Sequence, residues 1–131
     1  MTRILCHLAI TVLSLAPAWA ELTLESLRER QKQMRTTVRT AMPSVVGVEF
    51  PNGGGSGSGV IVSEDGLILT AAHVSGESGR VVTVIMLGGE RLPGKTLGAY
   101  RSLDAGMIQV QVENRSFPHL HLGDAASLQR G

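Results

Sequence analysis

The chain is predicted to be all-β: a small closed barrel of six short strands, carrying an amphipathic helix on its N-terminal side. Three observations carry that expectation. At Ser44 the apolar period changes from a helical spacing to a spacing of two. Strand-length runs then recur between Gly-, Asn- and Asp-containing turns. Sixteen glycines stand against one tryptophan, one tyrosine and two phenylalanines, so the strands must be built on Val, Ile and Leu.

The first twenty residues are unlike the rest. Arg3 is followed by the mostly apolar run Ile4 to Leu15 and by Ala18-Trp19-Ala20, a small-x-small cleavage pattern. Residues 1–20 are therefore read as a secretory signal peptide, and the apolar run is short for a membrane span. Any membrane association would come only from an uncleaved signal. Of the 131 residues, 111 then remain, without the single cysteine (Cys6). An exported domain with no disulfide must rely on its core, which points to a bacterial-type exported protein. Arg3 is the only charge lost, which leaves 11 basic and 11 acidic residues. With charge balanced and no basic run, nucleic-acid binding is not expected.

Residues 21–42 form the helical segment. Leu24, Leu27, Met34, Val38 and Ala41 recur at spacings of three, four and seven, and Pro43 ends the pattern. Gln31 interrupts the stripe, so a helix packed on a domain surface is expected, not a coiled coil. The barrel is assigned to residues 43–114. Its strands are expected at 45–50, 60–62, 67–69, 81–87, 91–100 and 107–112, with Glu64-Asp65-Gly66 and Gly88-Gly89 as hairpin turns. Pro93 and Gly94 should bend or bulge the fifth strand. Residues 115–131 are read as a linker.

Chemistry is concentrated at two positions. His73 directly follows the third strand, where the backbone is fixed and a side chain can face a cleft. Its small neighbours Ala71 and Ala72 permit another segment to approach closely. Asp104, between Leu103 and Ala105, enters the sixth strand. An imidazole that accepts a proton, held by a carboxylate at its other nitrogen, is the acid–base part of a hydrolase triad. Spacing alone does not show that the two meet.

Gly57-Ser58-Gly59-Val60-Ile61-Val62, with Asp65-Gly66-Leu67-Ile68-Leu69-Thr70-Ala71-Ala72-His73-Val74, resembles the His-bearing region of trypsin-like serine proteases, in particular the bacterial HtrA-type branch. Asp104-Ala105-Gly106-Met107-Ile108-Gln109-Val110 is similar to that branch's triad-aspartate segment. Leu122-Gly123-Asp124 through Gly131 resembles the stretch before its second barrel. The resemblance covers residues 43–131, about the first half of a chymotrypsin-type fold, with the second barrel absent. It implies His73 as general base and acid and Asp104 as its orienting partner. The family's nucleophilic serine and oxyanion hole belong to a later Gly-x-Ser-Gly loop, so the chain is expected to be inactive alone. The resemblance implies an unfolded polypeptide as the substrate once a second barrel completes the site. Ala105-Gly106 stands where a larger apolar residue and Ala are usual, a departure expected to loosen packing beside Asp104.

The other reading is a non-catalytic chymotrypsin-fold module that binds peptides or another subunit. In either case an apolar face that a second barrel would cover is left exposed, and self-association through it is expected. Gly76-Glu77-Ser78-Gly79 and Gly54-Gly55-Ser56-Gly57 spell the nucleophile pattern, but both lie outside the family's His, Asp, Ser chain order and are read as turns. Ser116 and Ser127, the serines after Asp104, sit in no such setting. His119 and His121 would share one face if extended, yet no third ligand is spaced nearby. No metal and no cofactor are expected.

Overall fold

The computed structural model describes residues 23–128, apart from the side chain of Asn52; the signal-peptide reading of 1–20 lies outside the described residues. Helix α1 (Leu24–Ala41) begins at Thr23, whose Oγ1 accepts the Ser26 N–H at 3.1 Å. It ends where Pro43 enters a following single turn of 3₁₀ helix. Six antiparallel strands follow: β1 (Val45–Glu49), β2 (Ser56–Ile61), β3 (Leu67–Ala71), β4 (Val81–Ile85), β5 (Arg91–Tyr100) and β6 (Ala105–Val110). A four-residue helix, α2 (Ala72–Ser75), joins β3 to the loop before β4. The strands close into a barrel in the order β1-β2-β3-β6-β5-β4, so the predicted all-β closed architecture is present. These residues contain one barrel.

Alternation decides which side chains point inward. Val46 and Val48, Ile61, Ile68, Val82 and Val84, Leu92, Ile108 and Val110 fill the interior, with Phe50 and Met86 at its margins. Phe117 joins them from the segment after β6; it is buried, and its N–H donates to the Glu64 carbonyl at 2.9 Å. Its ring lies against Gly66 and Val110, at one end of the barrel.

Strand ends shift from the expected ones, with β2 beginning at Ser56, β4 ending at Ile85 and β6 running Ala105–Val110, and two larger details differ as well. The fifth strand keeps its register through Pro93 and Gly94, and the shift falls between Thr96 and Gly98, where Gly98 takes φ 135°. The Pro93 carbonyl accepts from Gln111 N–H just past the end of β6. The donor that proline lacks therefore faces the side where the ladder is already ending, so no bend is needed. The helix α1 also differs: none of its residues is buried, and Leu24, Met34 and Val38 are at least half exposed. The barrel's core is filled mainly by its own strands, and the broken stripe around Gln31 packs on none of it. Among the described residues no helix is long and apolar enough to cross a membrane.

Candidate active site

The pairing of β3 with β6 builds the site. Ala71 stands opposite Ala105, and one step further the Ala72 N–H donates to the Asp104 carbonyl at 3.0 Å. The chain positions just after β3 and just before β6 are thereby forced together. At His73 the backbone turns into α2; at Asp104 it adopts a left-handed conformation (φ 49°, ψ 39°), which a short polar side chain tolerates. Both side chains then project from the same end of the barrel.

Their contact is double. The Asp104 carboxylate lies 2.8 Å (Oδ2) and 3.0 Å (Oδ1) from His73 Nδ1, while Oδ1 also accepts the His73 backbone N–H at 3.1 Å. A carboxylate can only accept, so Nδ1 carries a proton, and in the neutral ring Nε2 holds the lone pair. The pair is open to solvent, with side-chain exposures of 74% and 54%. The His73 backbone N–H, and after it the imidazole, hold the Asp104 carboxyl below its ordinary pKa, so it is ionised across the neutral range. Among the described residues no hydrogen bond reaches Nε2.

Behind His73, α2 is anchored by Ser75, whose buried hydroxyl donates to the Gly98 carbonyl at 3.2 Å. Gly106 makes room for it. A Cβ at Gly106 would collide with Ser75 Oγ and stand 2.8 Å from the Ala71 carbonyl oxygen. At Gly106, therefore, the departure leaves no loose space, because Ser75 occupies it. Sequence reasoning missed Ser75, since a serine after a histidine carries no signal of burial. Gly106→Ala is expected to lower unfolding free energy by about 1–3 kcal/mol. Urea unfolding of the chain measures it; a loss under about 0.5 kcal/mol would show that α2 moves aside freely.

The other candidates fall elsewhere. Ser78 lies in the exposed turn between α2 and β4, and Ser56 begins β2. Ser116 donates to Glu64 at 2.9 Å, and Ser127 donates to the Asp124 carbonyl. His119 and His121 sit in the segment after β6.

A family model described as a trypsin-like peptidase domain matches residues 57–131, more than half of the chain. The chain belongs to the trypsin-like peptidase family. Among curated relatives of this family member, the serine protease HhoB of Synechocystis sp. is 38% identical over 81 residues, 62% of this chain and 19% of that protein. A periplasmic DegP-like serine endoprotease of Halomonas elongata is 39% identical over 75 residues, 57% of the chain and 15% of the relative. Serine protease HTRA4 of Homo sapiens is 38% identical over 76 residues, 58% of the chain and 16% of the relative. The HtrA-type resemblance is thus shared with named relatives, of whose length the match spans less than a fifth.

Proposed function

We propose that this peptidase-family chain is the His- and Asp-bearing part of an exported serine endopeptidase that hydrolyses peptide bonds in unfolded proteins. The observation that carries the reading is the Nδ1–carboxylate contact, which leaves Nε2 as a free base at the barrel's end. In this reading a serine supplied by a further segment gives its proton to His73 Nε2 as its oxygen attacks the peptide carbonyl. Asp104 stabilises the imidazolium, which then protonates the leaving amine; water repeats the cycle to release the acyl group. Export is supported by the signal-like residues 1–20 and by the periplasmic naming of the Halomonas relative. Leu69, Leu97, Tyr100 and Met107 form an exposed apolar groove beside Asp104, which suits a covering barrel or, without one, self-association.

Among the described residues no hydroxyl is hydrogen-bonded to His73 Nε2, so no cleavage of unfolded casein by residues 1–131 alone is expected; cleavage that disappears in His73→Ala would overturn that expectation. A chimera provides the positive test. With residues 43–128 replacing the matching segment of the Halomonas elongata relative, casein cleavage is expected and should be lost in His73→Ala. A folded chimera without activity would instead favour a peptide-binding module.

A further inference from the structure

Helix α1 stands outside the barrel core, and none of its residues is buried. At about 100° per residue, Leu24, Leu27, Met34 and Val38 fall within one arc of about 80°, with Gln31 among them. All four apolar side chains are exposed. Arg28, Lys32, Arg35 and Arg39 recur at spacings of four, three and four, which sets them in a row along one edge of that arc. The four cations line one shallow groove, and Arg35 and Arg39 border Met34 and Val38 in the next. Among the described residues no carboxylate lies within ion-pair distance of any of them. The helix as a whole carries five basic residues against two acidic ones, Glu25 and Glu29.

We propose that this face of α1 lies on an anionic membrane surface, independently of the peptidase reading. An exposed apolar arc rimmed by cations sinks into the boundary between headgroups and acyl chains, while the long basic side chains reach the lipid phosphates. Charge complementarity selects the occupant, because the cation row meets no carboxylate of this chain and matches a surface of phosphate groups. A second copy of the helix fits less well, since Gln31 interrupts the apolar seam that a helix pair needs. Polar residues cover the rest of the helix, so it lies along the membrane and does not cross it. The balanced charge of the whole chain conceals this local excess. The expectation that membrane association comes only from an uncleaved signal is replaced, because the structure leaves the apolar edge of α1 uncovered.

Co-sedimentation of the whole chain with vesicles tests the surface, comparing equal phosphatidylglycerol and phosphatidylcholine with phosphatidylcholine alone. At low salt the anionic vesicles should be favoured at least about tenfold, and the preference should shrink at about 0.5 M NaCl, where the charges are screened. Each cation strengthens binding about fivefold at such a surface, so Arg35→Gln with Arg39→Gln should weaken it about 25-fold. Gln keeps the helix propensity and neither position is buried, so the thermal midpoint should stay unchanged. Met34→Gln with Val38→Gln should weaken binding to the anionic vesicles about tenfold. Residues 1–20 are the same in every variant, so the comparison isolates α1. Full preference in the Arg35 and Arg39 variant, or unchanged binding in the Met34 and Val38 variant, would overturn the proposal. Equal affinity for both vesicle types would overturn it too, as would a chain that pairs with itself through α1 and leaves the vesicles bare.

Discussion

Asp104→Asn in the active chimera is expected to lower kcat about 10⁴-fold, equivalent to roughly 5.5 kcal/mol of transition-state stabilisation. The geometry explains why so small a change does so much. Oδ1 of Asp104 accepts the His73 backbone N–H, and Oδ2 is the oxygen nearest Nδ1. In the asparagine variant the backbone N–H holds the amide oxygen at the first position. The NH₂ group is then turned toward Nδ1, which must accept. The ring proton moves to Nε2, and no lone pair is left to take the nucleophile's proton. Side-chain size and fold are unchanged, so KM should move little. Steady-state kinetics with a peptide substrate measures the split, and ¹⁵N spectra report the tautomer. A fall in kcat of less than tenfold would mean that Asp104 does not orient His73 during the reaction.

Phe117→Ala is expected to remove about 3–5 kcal/mol of stability, a large share of the roughly 5–15 kcal/mol typical of a domain. The ring is buried at the barrel's end against Gly66 and Val110, and its backbone is tied to Glu64. Truncation leaves a cavity that rigid strands cannot collapse to fill. Leu122→Ala, in the same trailing segment but exposed, should change stability by less than about 0.5 kcal/mol. Urea unfolding of both variants gives the comparison. A Phe117→Ala loss under about 1 kcal/mol would show that the barrel closes without this plug.

The hairpin turns illustrate what local chemistry makes legible. Gly66 has φ 86°, Gly88 φ 100° and Gly89 φ 89°, conformations that a side chain resists, and all three were readable as turns. The strand ends were less legible. Met86 N–H pairs with the Glu90 carbonyl, so the turn widens around Gly88-Gly89 and β4 ends at Ile85. Phe117 illustrates the opposite case. It follows the turn-like Asn114-Arg115-Ser116, where nothing local separates a linker aromatic from a core one.

By itself, the sequence determined the sidedness of each strand, because the pleat turns successive side chains to opposite faces whatever the neighbours are. In β4 this puts Val82 and Val84 inside and leaves Val81 exposed. It also marked His73 and Asp104 as the residues able to do acid–base chemistry. Only the tertiary structure decided that Ala71 pairs with Ala105, that Ser75 fills the space beside Gly106, and that the two histidines after β6 meet. Pairing, packing and ring contact depend on groups far apart in the chain or on side-chain rotation, and the closed barrel selects them by the balance of many contacts at once.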